Sequence, residues 1–156
     1  MKNLLIVYHS KTGNTQALAE AVKAGAQHKD VIAVGKVEIR YLQARAAGPD
    51  DLLWADGLLL GTPENFGYLS GALKDFLDRT FYEVEGKLKP LPYALFISAG
   101  NDGSGAAKAM ERIANGYPFI EVQKPVICRG NVDAQALNKC HALGMTLAAG
   151  IAMGIF

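Results

Sequence analysis

Ser10-Lys11-Thr12-Gly13-Asn14-Thr15 places three hydroxyls, an amide and a glycine within six residues. The segment follows the apolar run Leu4-Leu5-Ile6-Val7-Tyr8 and precedes a helix-like stretch, so it reads as a strand-to-helix turn. At a helix start the backbone N–H groups lack intrahelical partners and carry the positive end of the helix dipole. Together with the Ser10, Thr12 and Thr15 hydroxyls they can surround a phosphate without any arginine. The first carboxylate of the helix is Glu20, beyond its first turn, so no acid competes for these donors. The competing reading is a capped βα connection that binds nothing, because Ser, Thr and Asn are also the common capping residues.

Two further segments suit a flat heterocycle. Thr62-Pro63-Glu64-Asn65-Phe66-Gly67-Tyr68-Leu69-Ser70-Gly71 sets aromatics on either side of Gly67. Backbone can approach a ring at the glycine while Phe66 or Tyr68 stacks on it or edges it; the alternative is that both plug the core. Ser70 reads as the N-cap of a helix in which Leu73, Phe76 and Leu77 face a sheet. Ala99-Gly100-Asn101-Asp102-Gly103-Ser104-Gly105 offers successive N–H groups for the carbonyl and imide edge of a heterocycle. Its rival reading is a surface turn capped by Asn101 or Asp102. An Asp102 carboxylate near such a ring opposes negative charge on it and lowers its reduction potential, and Glu64 is a second candidate for tuning it.

These segments need a scaffold that brings them together. Strand-like and helix-like stretches alternate along the chain, which predicts an α/β domain with a parallel sheet covered on both faces. Strands are expected near 3–8, 35–42, 57–61, 92–98 and 121–128, and helices near 14–26, 49–54, 71–82, 104–115 and 133–152. Gly57-Leu58-Leu59-Leu60-Gly61 and Tyr93-Ala94-Leu95-Phe96-Ile97 are continuous apolar runs suited to the centre of a sheet, whereas Val37-Glu38-Ile39-Arg40-Tyr41 alternates and suits an edge. A five-stranded doubly wound sheet in order 2-1-3-4-5 satisfies the right-handed crossover rule. It places all three segments at the carboxyl ends of strands, beside the reversal of strand order between strands 1 and 3.

Composition narrows the classes. With 156 residues, half of them hydrophobic, the chain supports one core, read as a single domain over 1–156. A net charge of +1 with interspersed signs gives neither a nucleic-acid stripe nor a polybasic lipid anchor. Cys128 and Cys140 lack CxxC spacing and read as buried thiols, and no His or Cys pair has zinc-ligand spacing. The N-terminus shows no signal-peptide pattern, so a cytoplasmic location is expected. The uncharged stretch from Ala142 to Phe156 is too short to span a bilayer and is interrupted by Gly144, Gly150 and Gly154. It reads as a core helix, with a homodimer interface as the alternative.

Ser10-Lys11-Thr12-Gly13-Asn14-Thr15 resembles the FMN phosphate loop of flavodoxins. Gly61-Thr62-Pro63-Glu64-Asn65-Phe66-Gly67, continuing through Ser70-Gly71-Ala72-Leu73-Lys74-Asp75-Phe76-Leu77-Asp78-Arg79, resembles the second flavin loop of flavodoxin-like FMN reductases and NAD(P)H:quinone oxidoreductases. The likeness covers nearly the whole chain and implies a flavodoxin-like fold with FMN as cofactor. It implies that Ser10, Thr12, Gly13, Asn14 and Thr15 hold the phosphate. Pro63, Glu64, Asn65, Phe66, Gly67 and Tyr68 would then line the inner side of the ring, and Ala99, Gly100, Asn101, Asp102 and Gly103 its pyrimidine edge.

Electron-carrier flavodoxins are typically strongly acidic and sandwich the ring with aromatics. This chain is near neutral and its third segment has no aromatic, which leaves one ring face open to a hydride donor or quinone. The expected function is therefore electron transfer from NAD(P)H through FMN to a quinone or other small acceptor, with no protein residue acting as acid, base or nucleophile. The chain lacks the long insertions with which such quinone reductases build tetramers. The alternatives are a one-electron carrier between redox proteins and a flavin-free interaction module.

Overall fold

Leu4 to Tyr8 can be apolar without a break only if both sides of the strand are covered. In a computed structural model describing residues 1–156, this segment lies in β1 (Lys2–Tyr8), and its side chains alternate between two cores. Leu5 and Val7 enter one; Leu4, Ile6 and Tyr8 enter the other. The chain continues as α1 (Asn14–Ala26), α2 (Lys29–Val34), β2 (Val37–Gln43), α3 (Pro49–Trp54), β3 (Gly57–Pro63), α4 (Gly71–Val84), β4 (Leu91–Ala99), α5 (Ser104–Gly116), β5 (Phe119–Glu121), β6 (Val126–Arg129) and α6 (Ala134–Ala152).

All strands are parallel, in the order β2-β1-β3-β4-β5, with β6 also paired to β4. The doubly wound order is the expected one, but the sheet has six strands rather than five. The segment expected to form one strand over 121–128 is two. Phe119–Glu121 pairs with Leu91–Tyr93, and Val126–Arg129 pairs with Phe96–Ala99. Between those registers only Ala94 and Leu95 of β4 face the four residues 122–125, so the second strand must loop out. Pro125, which has no N–H to give the ladder, ends the excursion.

The core on one face of the sheet includes Leu52 of α3, Leu73, Phe76 and Leu77 of α4, and Met110 of α5. The opposite core includes Leu18 and Val22 of α1, Val31 of α2, and Cys140, Leu143 and Leu147 of α6. Ser70 caps α4 as expected, its Oγ accepting from the Leu73 N–H at 3.2 Å. Helices α1 and α6 meet backbone to backbone. A Cβ on Gly25 would lie 1.9 Å from the His141 carbonyl oxygen, and one on Gly144 1.9 Å from that of Val22. The apolar C-terminal stretch docks as core helix: Leu143, Leu147 and Ile151 are buried, and the Phe156 ring folds back onto Gly150. No helix is long and apolar enough to cross a membrane. Both cysteines are buried free thiols, and burial pushes Cys140 up to about 12.

Candidate functional site

Strand order reverses between β1 and β3, and the helices that follow them leave on opposite faces of the sheet. Doubly wound sheets take their ligands above the carboxyl ends of the strands at such a point. The loops after β1, β3 and β4 meet there.

In the first loop, Gly13 is the residue before α1 and adopts φ +99°, a left-handed conformation that favours glycine. No side chain caps the helix, and its first turn has no acidic residue. The Asn14, Thr15 and Gln16 N–H groups have no partner within the protein. The capped-turn reading thus lacks its cap. Ser10 Oγ accepts from the Gly13 N–H at 3.2 Å, which leaves the Ser10 proton free to point outward. Thr12, Gly13 and Asn14 are exposed at the rim. Thr15 differs: its side chain is buried, and its hydroxyl shares a hydrogen bond with Ser98 Oγ at 2.7 Å, tying the loop to the end of β4. Its N–H is also without a partner within the protein.

The second loop is closed at its neck by Thr62, whose Oγ1 accepts from the Ser70 N–H at 2.9 Å and donates to the Pro63 carbonyl at 2.8 Å. Its tip is a tight hairpin in which Asn65 and Tyr68 exchange backbone hydrogen bonds of 2.9 and 3.0 Å around Phe66 and Gly67. Both central residues have positive φ, +52° and +69°, as a type I′ turn requires. Neither aromatic plugs the core. Phe66 is fully exposed and Tyr68 is exposed, so an apolar ring stands in solvent on a strained residue at the tip of the second loop.

In the third loop, Ala99 and Gly103 are buried while Gly100, Asn101 and Asp102 are exposed. The Gly100 and Asn101 N–H groups have no partner. Asp102 Oδ1 accepts from the Ser104 N–H at 3.0 Å and from the Ser104 hydroxyl at 2.9 Å. The Ser104 N–H, foremost, and then the Ser104 hydroxyl hold the Asp102 carboxyl below its usual range, so it stays charged at neutral pH.

The loops are bonded to one another. The Glu64 N–H donates to the Ser98 carbonyl at 2.8 Å, and the His9 N–H to that of Gly61 at 3.1 Å. Gly105 presses on the Gly67 carbonyl so closely that a Cβ would lie 2.0 Å from the oxygen. Glu64 has a partner within the protein. Its Oε2 accepts from the Ala106 N–H at 3.1 Å and so caps α5.

Four residues at the rim escaped sequence reasoning. Thr62 and Ser98 are buried hydroxyls: Thr62 ties the two ends of its own loop together, and the Ser98 partner, Thr15, lies far along the chain. His9 has a buried Nδ1 without a hydrogen-bond partner, and its pKa is held below the ordinary value by burial first and then by Arg45 and Lys11. Arg129 follows β6, and its Nε donates to the Asp102 carbonyl at 3.4 Å.

Comparison with known proteins shows the family and the fold. The family model described as NADPH-dependent FMN reductase matches residues 1–127. A flavodoxin of Aquifex aeolicus is 34% identical, over 67% of this chain and 54% of its own. An NAD(P)H dehydrogenase (quinone) of Acidithiobacillus ferrooxidans is 32% identical, over 67% of this chain and 60% of its own. The chain thus spans just over half the length of these curated relatives. Among solved structures, a flavodoxin from the domain Archaea superposes with a TM-score of 0.78 at 21% identity, covering 96% of this chain and 98% of that one. A WrbA-like flavodoxin from Agrobacterium tumefaciens superposes with a TM-score of 0.76 at 20% identity, covering 97% and 98%.

Proposed function

The chain belongs to the NADPH-dependent FMN reductase family, and on that premise we propose an FMN-dependent oxidoreductase that draws electrons from a nicotinamide dinucleotide and delivers them to a quinone or similar acceptor. When bound, the flavin supplies the hydride and electron chemistry. The protein supplies binding, orientation and the local field.

The observation that carries this reading is the first turn of α1, with its unpaired N–H groups, its left-handed Gly13 and no carboxylate nearby. Such a turn holds a phosphate dianion. The N–H groups of Asn14, Thr15 and Gln16 and the Ser10 and Thr12 hydroxyls are its donors, while Thr15 and Ser98 hold the turn against β4. Phe66 and Tyr68 offer aromatic surface to one side of the ring, with Pro63, Asn65 and Gly67 completing that wall. The Gly100 and Asn101 N–H groups are free to donate to its pyrimidine edge, between Ala99 and Gly103. Asp102 keeps a negative charge beside that edge and resists charge build-up there. The third loop has no aromatic to cover the remaining face, which is where a donor or acceptor enters.

A second reading, a one-electron carrier between redox proteins, is favoured by the flavodoxin among the relatives. One experiment separates the two. Purified protein is titrated with FMN and riboflavin, and the FMN-loaded form is assayed for NADH and NADPH oxidation with benzoquinone and ferricyanide. The oxidoreductase reading expects FMN to bind about 10- to 100-fold tighter than riboflavin, the worth of one or two charge-assisted hydrogen bonds, and steady dinucleotide oxidation. Tight FMN binding with negligible oxidation supports the carrier. Colourless protein that gives no heat with FMN overturns both.

A further inference from the structure

A second cleft adjoins the proposed flavin site on the side of the third loop. It has a volume of about 510 Å³ and runs between the outer edge of β6 and the first turns of α6. Ile127 lines it, Arg129 and Lys139 bring positive charge, and Asn131 and Gln135 bring amides. Its one carboxylate, Asp133, is committed to capping α6, its Oδ1 accepting from the Ala136 N–H at 2.8 Å. Neither Arg129 nor Lys139 is within 4.0 Å of a carboxylate oxygen. The Arg129 Nε leans on the Asp102 carbonyl, while its two terminal nitrogens have no hydrogen-bond partner. A guanidinium with both terminal nitrogens free can take a phosphate bidentately. The cleft is joined to the third loop by this contact and by the Gly130 N–H, which donates to the Ala99 carbonyl at 2.8 Å.

We propose that this cleft seats the phosphate-bearing half of a nicotinamide dinucleotide, with the Arg129 fork on a phosphate and Lys139 offsetting the remaining charge. The amides of Asn131 and Gln135 suit ribose hydroxyls. The nicotinamide is thereby led to the open ring face across the third loop. This assignment rests on the oxidoreductase reading above and gives its donor a place.

The test uses FMN-loaded protein and three reductants: NADPH, NADH and reduced nicotinamide riboside, which carries no phosphate. In Arg129→Gln the NADPH concentration for half-maximal flavin reduction should rise about 10-fold or more, the loss of a charge-assisted pair. The limiting rate and the reaction with the riboside should be retained. Lys139→Gln, remote from the third loop, should give a smaller shift of the same kind. A larger loss for NADPH than for NADH assigns the fork to the 2′-phosphate; equal losses assign it to the diphosphate. Unchanged NADPH saturation in both variants overturns the proposal, as does parallel slowing of NADPH and the riboside. Calorimetry with 2′,5′-ADP keeps the two readings apart. If wild-type protein binds it through Arg129 yet no nicotinamide reduces the flavin, the cleft stands and the oxidoreductase reading fails. If the flavin is reduced but 2′,5′-ADP gives no heat, the cleft assignment fails alone.

Discussion

Glu64 reaches out of the loop after β3 to accept the Ala106 N–H at 3.1 Å, so a residue of the second loop caps the helix that leaves the third. The carboxylate meets the positive end of the α5 dipole there. Glu64→Ala should cost about 1 kcal/mol, the usual worth of an N-cap. Glu64→Gln, which keeps an acceptor but loses the charge, should cost less. Urea unfolding of the cofactor-free protein measures both, and an Ala variant as stable as wild type removes the cap from the account.

Phe66 sits at φ +52° in a turn whose geometry favours Asn-Gly. Phe66→Asn should therefore stabilise the cofactor-free protein by about 0.5 to 1 kcal/mol, by relieving backbone strain. If the exposed ring stacks on flavin, the same change should weaken FMN severalfold. Thermal denaturation and FMN titration of one variant read the two effects with opposite signs.

Thr15 and Ser98 share a buried hydrogen bond. Removing one partner strands the other hydroxyl, so Thr15→Val or Ser98→Ala alone should cost about 1 to 3 kcal/mol. The double variant should cost less than the sum of the two. A double-mutant cycle on unfolding free energy measures the coupling, and strict additivity would show the contact to be energetically idle.

His9 gives the fold a pH dependence of definite sign. Its folded pKa lies below the ordinary 6.5 because of burial, Arg45 and Lys11, so near that pH the unfolded chain binds more protons than the folded one. Its stabilising contribution is complete above the unfolded value and is lost as pH falls through the folded one. Between pH 7.5 and 5 the wild type should lose more urea resistance than His9→Asn. A phosphate held at the neighbouring loop offsets Arg45 and Lys11, so saturating FMN should narrow the difference. Identical pH profiles for the two proteins would dismiss His9 as the source.

What could be read from the chain was local. The apolar runs of β3 and β4, the alternation of β2, the Ser70 cap and the three polar segments all declare themselves within a few residues, and the strand order is one that right-handed crossovers allow. α2 escaped because Lys29–Val34 is six residues long and half β-branched, with a histidine for its cap. The division of the last strand was written only in Pro125, whose missing N–H matters once the register against β4 is known. The contacts that Thr15 and Glu64 make within the protein were not legible. Their partners, Ser98 and Ala106, are distant in sequence, and nothing in the first or second loop announces them.

Gly25 and Gly144 let α1 and α6 touch with no side chain between them, and α1 begins at the turn assigned to the phosphate. The two helices therefore move as one keyed shaft: rolling or sliding the first would drive its carbonyls into the second. A phosphate on that turn is therefore expected to slow hydrogen exchange in α6 as well as in α1.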